Sequence, residues 1–282
     1  MWILQNVVLQ SIGGKDVKME NYKKKSRKEA RAQKERMRTS MESEQDQIWF
    51  ESETLKEFLL FAVKFRRYSY NNQLLIHAQR PGAAMVQTYK QWLDYGRQVK
   101  KGEKGIEIFA PSPRKKTVEE EKLDGNGKKV IGPDGKVVKE EKTIDYMDFR
   151  VEYVYDYGQT EGRPVPELEA VSEDPLYETD EDLHKALERA CGDIPEGVPV
   201  PEMVFTTSSL AVRERFGSCG EEEAKACAYI LSGYLQIELP EACAQSVFSW
   251  AKGRERKEVS VLMQKVQKTA KEVIKKMEQE DF

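Results

Sequence analysis

The sequence predicts an α+β protein in two parts. The chain has 282 residues, which is long enough for two domains of ordinary size. Apolar residues recur at helical spacing after Thr54, whereas residues 106–110 and 149–159 alternate as sheet strands do. The later part of the chain has a mainly helical pattern. We therefore predict an α+β front domain over residues 46–170 and a mainly helical rear domain over residues 171–282.

Residues 1–45 are predicted to form a leader followed by a basic helix. The opening MWILQNVVLQSIGG lacks a basic leading segment and a small-residue cleavage site, and no run reaches the roughly 18 apolar residues of a membrane span. A cytoplasmic location is expected. Residues 21–40 carry nine Lys or Arg and two Glu without an apolar stripe. We therefore expect this helix to pack against nothing.

Three helices are predicted at the start of the front domain. In the first, Thr54 and Glu57 have the spacing of a capping box. The apolar residues that follow at helical spacing are Leu55, Phe58, Leu59, Ala62 and Phe65. The second helix fits Asn71–Gln79, before a Pro-Gly pair, and the third fits Tyr89–Tyr95, closed by Gly96.

Two strands are predicted next, and we expect them to pair. IEIFA (106–110) is bounded by Gly105 and Pro111, and Val151, Tyr153 and Tyr155 alternate in the second segment. Between them, residues 112–146 are charged and contain the turn signals GNG and GPDG, which predict a protruding hairpin insertion.

The rear part begins after a predicted proline-rich and acidic linker at residues 160–180. Its predicted helices cover residues 183–191, 221–234, 239–250 and 256–279. The last carries a continuous apolar stripe: Val259, Leu262, Met263, Val266, Ala270, Val273, Ile274 and Met277. Packing within its own domain is favoured over a dimerising coiled coil, because three heptads without clear e/g pairing are short. The oligomeric state is not predicted.

The residue inventory argues against several enzyme classes. The two histidines, His77 and His184, lie far apart and outside any HExxH or Cys/His ligand spacing. No phosphate-binding glycine loop is present, and the four cysteines form no CxxC pair. We expect reduced structural thiols, no catalytic residues, no metal and no cofactor.

Charge and aromatic content instead predict binding to a polyanion. Residues 64–105 carry nine Lys or Arg against two acids, whereas residues 167–282 carry fourteen against twenty-four. Cations neutralise phosphates and aromatic rings stack on unpaired bases, so this mixture favours single-stranded over duplex DNA. The predicted binding residues are Arg66, Arg67, Tyr68, Tyr70, Asn71, Asn72, Trp92, Arg97, Lys100, Lys101 and Lys104.

Four of these assignments have structural alternatives. Tyr68 and Trp92 are each as well suited to a core as to base stacking, and Trp92 lies inside a helix. Asn71 and Asn72 either contact DNA or cap the second helix.

Three motifs in order resemble the N-terminal domain of ArdC-type antirestriction proteins: YSYNNQLLIHAQRPGA, YKQWLDYGRQVKKGEKGIEIFAP and VYDYGQTEGRPVPEL. The resemblance covers about residues 46–170. It implies an α+β domain that binds single-stranded DNA, carried by conjugative elements or phages and linked to protecting DNA from host defence. Besides predicted binding residues, the matching positions include Gln79, Gly96, Gly102, Gly105, Asp156, Gln159 and Thr160.

In that family a zinc metallopeptidase-like domain usually follows. AKACAYIL (224–231) resembles one of its helices, but HExxH is absent and Lys225 stands where the acidic ligand would fall. The resemblance therefore implies a degenerate, zincin-like domain without its metal.

Together these inferences predict a non-specific single-stranded DNA-binding protein with an anti-defence role and no peptidase activity. The acidic rear domain is predicted to bind a host defence protein in the bacterial cytoplasm. The alternative is a protein-binding inhibitor of a host nuclease or CRISPR effector whose DNA affinity is vestigial.

Overall fold

The computed structural model describes most of the chain after residue 25. The described ranges are 26–50, 52–122, 124–125, 127–165, 176–177, 179–192, 194–217, 220–237 and 241–279. The predicted leader before residue 26 and the central part of the predicted linker, residues 166–175, lie outside them. The predicted division into domains is not tested and stays a prediction.

The front half mixes helices with strands, which confirms the predicted α+β class. Its elements in chain order are α1 (Arg27–Ile48), α2 (Ser52–Lys64), α3 (Tyr70–Gln79), β1 (Val86–Thr88), α4 (Tyr89–Asp94), β2 (Arg97–Val99), β3 (Ile106–Glu121), β4 (Lys139–Asp156) and β5 (Thr160–Gly162). A short 3-10 turn, Tyr157–Gln159, joins β4 to β5.

The main sheet has the strand order β1-β4-β3, and all its pairs are antiparallel. The β3–β4 register runs without interruption from Ile106 opposite Val154 to Glu121 opposite Lys139. The predicted pairing is thus confirmed. The predicted hairpin is also present, but its stems continue the core strands directly. A second, two-stranded sheet pairs β2 with β5.

Helix α1 exists as predicted, but the expectation that it packs against nothing was wrong. Its buried side chains include Met37 and Ile48 and two glutamines, Gln33 and Gln45. The Gln33 amide donates to Glu107 and Tyr153, and the Gln45 amide donates to the Arg256 carbonyl. Much of the packing of α1 is therefore by polar contacts, which leave no apolar stripe in the sequence.

The capping signals in the sequence predicted one of two helix boundaries correctly. α2 begins at Ser52, so Thr54 lies within the helix and the predicted capping start was wrong. α4 ends as predicted: Gly96 has φ of 72°, a left-handed conformation that glycine adopts without steric cost.

The rear half is helical in its described residues. Its elements are α5 (Asp180–Cys191), α6 (Val200–Phe216), α7 (Glu221–Leu235), α8 (Glu241–Ala251) and α9 (Arg256–Met277). α6 was not predicted. All eight residues of the predicted α9 stripe are buried, which confirms the packing interpretation. Among the described residues, no helix is long and apolar enough to span a bilayer.

The two halves share one connected apolar core. The cluster extends from α2 and α3, with Leu59 and Leu74, to α7 and α9, with Leu231 and Met263. Polar contacts supplement it, because the Gln267 amide of α9 donates to the Gln73 amide oxygen of α3 at 2.6 Å. The relative placement of the halves is therefore set by buried side chains.

Candidate nucleic-acid interface

Helix α3 lies along the free edge of β3 and is fixed there by two side-chain amides. Asn72 accepts from the Phe109 amide nitrogen and donates to the Phe109 carbonyl, both at 2.9 Å. Gln79 makes the same pair of bonds with Glu107. Residues seven apart share one helix face, and alternate strand residues point their backbone groups to one side. The two amides therefore occupy the hydrogen-bonding positions that a neighbouring strand would fill.

Trp92 belongs to the interior and not to a stacking surface. It is 0% exposed, and its indole nitrogen donates to the Tyr155 carbonyl at 2.7 Å. The indole thereby fastens α4 to β4. The assignment of Trp92 to base stacking is corrected, because no face of the ring is open to a base.

Arg97 is also internal, with 6% exposure. Its guanidinium donates to the Thr160 hydroxyl at 2.8 Å, to the Thr160 carbonyl at 3.0 Å and to the carbonyls of Gly162 and Arg163. Its centre lies 4.0 Å from the centroid of the Tyr157 ring. A buried cation needs such partners. Here they engage four of the five N–H donors of a guanidinium that is itself almost inaccessible to a phosphate. The phosphate role predicted for Arg97 is therefore corrected to that of a clamp on β5.

Asp156 and Gln159 organise the loops beside the sheet. Asp156 accepts from the backbone nitrogens of Ala84 and Gly158 and pairs with Arg80 at 3.0 Å. Gln159 accepts from the Asp156 backbone nitrogen and donates to the Lys104 carbonyl. The motif positions thus bring three loops to one end of the sheet.

The turn between α2 and α3 is fixed by buried Gln73. Its amide donates to the carbonyls of Phe65 and Tyr68, at 3.0 and 3.3 Å. Tyr68 is partly buried, and its hydroxyl donates to the Val86 carbonyl. Burial, with the charge of Glu152 as a second cause, raises the pKa of Tyr68 to about 12. The phenol is therefore a neutral donor at physiological pH.

The remaining predicted residues divide by exposure. Tyr70 is 2% exposed, and burial raises its pKa, so its predicted stacking role is corrected. Ser69 caps α3 by accepting from the Asn72 nitrogen, so neither asparagine is the cap. Asn71 is exposed. Four of the predicted cations are also exposed: Arg67, Lys100, Lys101 and Lys104.

A large open cleft lies at the α4 end of the main sheet, and we call it the sheet cleft. Its volume is about 1840 Å³. The lining comes from the end of α3, α4, the β2–β3 loop and the inner part of β4. Its aromatic residues are Tyr89, Tyr153 and Tyr155, and its cations are Arg80, Lys90, Lys104 and Arg150.

The charges in the sheet cleft are partly balanced by three glutamates that also line it. The Glu103 carboxylate accepts from the Gln159 amide, Glu107 accepts from Gln33, and Glu152 pairs with Arg150. Within the described part of the chain, Lys90 and Lys104 form no ion pair, and both are exposed. The cleft therefore offers cations at its rim and aromatic rings along its floor.

The tyrosines of this cleft are arranged as adjacent platforms. The rings of Tyr89 and Tyr155 lie 6.5 Å apart, centroid to centroid, at 74°. Burial and the neighbouring phenols of Tyr153 and Tyr89 raise the pKa of Tyr155. Because strand residues alternate, Val151 and Phe149 continue the same face of β4 outward, and Phe149 is exposed.

Sequence reasoning placed only part of this site. Lys104 is the only one of the eleven predicted binding residues that lines the sheet cleft. Tyr153, Tyr155 and Arg150 were assigned to a strand without a binding role. Their signal was present, since alternating tyrosines on a strand that pairs at one edge predict an aromatic row on one face.

The rear half bears on the predicted loss of a metallopeptidase metal site. Among the described residues, no group of three or more His, Cys, Asp or Glu side chains forms a candidate metal site. Lys225, where the resemblance places an acidic ligand, has its ammonium 2.6 Å from Glu221 and 2.7 Å from the Ser246 hydroxyl.

These features define a class: an α+β domain with motif residues that join its loops and an aromatic, cation-rimmed cleft. Residues 30–155 match the family described as the N-terminal domain of anti-restriction factor ArdC. For these residues the match confirms the family resemblance seen in the sequence.

Similarity to individual proteins is low or covers only part of the chain. Over 125 residues the chain is 32% identical to the DNA primase TraC of Escherichia coli; the match covers 44% of this chain and 8% of that protein. Two crystal structures of the antirestriction protein ArdC from plasmid R388 are also similar. The metal-free structure shares 19% identity, with 74% of this chain and 85% of that chain covered and a TM-score of 0.39. The Mn(II)-bound structure shares 16%, with 76% and 86% covered and a TM-score of 0.40.

Proposed function

We propose that the front half binds single-stranded DNA without sequence preference, with bases on the floor of the sheet cleft. The observation that carries this proposal is the row of three tyrosines inside a cleft rimmed by Lys90 and Lys104. Unpaired bases offer flat faces to such rings, whereas duplex bases are stacked on one another and cannot reach them.

The energetics suit weak sequence preference. Stacking on an aromatic side chain contributes roughly 1 to 3 kcal/mol per base, and every base has a face to offer. Phosphate contacts add a salt-dependent contribution that is also independent of sequence. Tyr89 is the most accessible platform, at 39% exposure.

The proposed biological role is protection of incoming DNA against restriction. Two observations support it: the ArdC-type domain and the similarity to a protein named as a DNA primase. We also propose that the chain acts without peptidase activity. The sequence contains no HExxH, and a lysine occupies the position of the expected acidic ligand.

A matched pair of tyrosines tests the DNA-binding proposal. Tyr89 and Tyr95 are both 39% exposed at opposite ends of α4, but only Tyr89 lines the sheet cleft. Tyr89→Ala is expected to weaken binding of a labelled single strand by about 5- to 100-fold, and Tyr89→Phe, which keeps the ring, by less than about 3-fold. Tyr95→Ala is expected to bind like the wild type. Fluorescence anisotropy at two salt concentrations measures this.

The proposal fails if the wild type does not bind the single strand at low salt, or if Tyr89→Ala and Tyr95→Ala bind equally well. The biological role is tested by plasmid transfer into restriction-proficient and restriction-deficient recipients. Tyr89→Ala should lower plasmid transfer into the restriction-proficient recipient and leave transfer into the restriction-deficient recipient unchanged. Stoichiometric zinc in the purified protein, together with cleavage of a protein substrate, would contradict the proposed lack of peptidase activity.

A further inference from the structure

A second cleft lies where the front and rear halves meet, and we call it the junction cleft. It has a volume of about 410 Å³. The α2–α3 turn contributes Arg66, Arg67 and Tyr68, and α9 contributes Lys268 and Lys271. Its cations therefore come from both halves of the chain.

The charge of this cleft is one-sided. Four cations line it, and no described aspartate or glutamate does. With partners in the described ranges, Arg66 alone among them has an ion pair, with Glu278 at 3.2 Å. Arg67, Lys268 and Lys271 are exposed. Because like charges held together raise the free energy of the site, an anion that joins them is favoured.

The positive charge of this cleft is opposite to the net charge of the rear half. Residues 167–282 carry fourteen Lys or Arg against twenty-four Asp or Glu, yet the face of α9 turned toward the front half presents two lysines. An acidic peptide and a nucleic-acid backbone both fit four cations electrostatically. The polar lining favours the backbone, because Gln264, Gln267 and Ser69 offer neutral hydrogen-bonding groups and Tyr68 offers an aromatic ring.

The junction cleft is held in shape by buried contacts. Gln73 links the α2–α3 turn to α9, through its bonds to the Phe65 carbonyl and to Gln267. The cations of the two halves therefore face each other before any ligand arrives. Such preorganisation lowers the entropic cost of binding.

The junction cleft and the sheet cleft lie at opposite ends of the same helix. Tyr70, at the start of α3, lines the junction cleft, and Gln79, at its end, lines the sheet cleft. At 1.5 Å per residue these positions are about 14 Å apart along the axis. The charge of Glu152, in the sheet cleft, reaches Tyr68 in the junction cleft. A few nucleotides suffice to cover this distance.

We infer that the junction cleft binds the sugar-phosphate backbone of the strand whose bases occupy the sheet cleft, with Lys268 and Lys271 as the rear half's phosphate contacts. This inference rests on the proposed function of the front half. It assigns the rear half a direct part in DNA binding.

Two pairs of lysines on the full chain test it. Lys268→Gln/Lys271→Gln removes two cleft cations, whereas Lys252→Gln/Lys257→Gln removes two exposed cations that do not line it. For an oligothymidine of about 20 nucleotides, the first double variant should bind about tenfold more weakly at low salt. The slope of log K against log salt should fall in magnitude by about 1.4, since each phosphate contact contributes about 0.7 on a single strand.

The control double variant should keep the wild-type slope. Equal slopes and affinities for both double variants, with a wild type that binds, would overturn this inference and leave the proposed function standing. A wild type that does not bind the oligothymidine would overturn both.

Lysine acetylation of the wild type, read by mass spectrometry, gives a measurement without substitutions. Oligothymidine should protect Lys268 and Lys271 and leave Lys252 and Lys257 reactive. Protection absent at the first two, under conditions where anisotropy shows the strand bound, also overturns the inference.

Discussion

The residues that carry the family resemblance and the residues that line the clefts lie in different parts of the molecule. Asn72, Trp92 and Arg97 are buried, and each binds backbone carbonyls of a distant strand. Tyr89 and Lys104, by contrast, are exposed at the sheet cleft. The motif string is therefore largely a signature of how the loops and helices are joined. It identifies the fold and only indirectly the binding surface.

The difference between the buried motif residues and the exposed cleft residues predicts two kinds of effect on substitution. Changes to the buried motif residues should lower the free energy of unfolding. Changes to the cleft residues should lower DNA affinity in a protein that unfolds like the wild type. Among the buried residues, the expected loss of stability decreases from Trp92 to Arg97 to Asn72.

The largest loss is expected for Trp92→Ala. The change removes a fully buried indole and leaves the Tyr155 carbonyl without its donor. Truncating a buried tryptophan costs about 3 to 5 kcal/mol. Leu93→Ala, at the neighbouring and 48% exposed position, should cost less than about 1 kcal/mol. Urea denaturation of both variants is followed by far-ultraviolet circular dichroism, because tryptophan fluorescence would itself change in Trp92→Ala. Equal urea midpoints would show that Trp92 is not part of the core.

A smaller loss is expected for changes at Arg97. Arg97→Ala leaves several buried carbonyls, those of Thr160 and Gly162 among them, without a donor, and should destabilise the protein by about 2 to 4 kcal/mol. Arg97→Lys keeps the charge but not the planar fork, so we expect it to recover only part of this loss.

Lys101→Ala is the control for Arg97, because Lys101 is exposed in the nearby loop. It should leave the urea midpoint unchanged. If Arg97→Ala instead kept wild-type stability and lost only DNA affinity, the phosphate role first predicted for Arg97 would be restored.

The sequence predicted the elements whose signal is local. Alternation at residues 149–159 predicted the pairing of β3 with β4, and the stripe beginning at Val259 predicted the buried face of α9. The α9 stripe is the buried face of its helix, whereas the alternating residues of β4 line the sheet cleft. Both periods can be read along a single segment of the sequence.

The remaining features depend on partners far away in the chain. α1 packs through Gln33 and Gln45, whose hydrogen bonds span 74 and more residues, and a glutamine in a basic helix gives no local sign of such a contact. The same holds for Arg97. Its sequence context resembles that of a surface cation, and only its contacts with β5, about 63 residues later in the chain, show that it is buried. The sheet cleft was only partly predicted, because it combines α4 with the inner part of β4.

The two adjacent asparagines give the smallest and most specific test of the comparison. Asn72 makes a bidentate pair with the Phe109 backbone, whereas Asn71 is exposed one residue away. Asn72→Ala should destabilise the protein by about 1 to 3 kcal/mol, because the edge of β3 loses a donor and an acceptor. Asn71→Ala should change stability by less than about 0.5 kcal/mol. Both are measured by urea denaturation, and hydrogen exchange at the Phe109 amide adds a local readout, expected to accelerate only in Asn72→Ala. Equal stability of the two variants would show that the Asn72 amide does not hold the β3 edge. The DNA contact first predicted for Asn72, as for Asn71, would then be the better explanation of this residue.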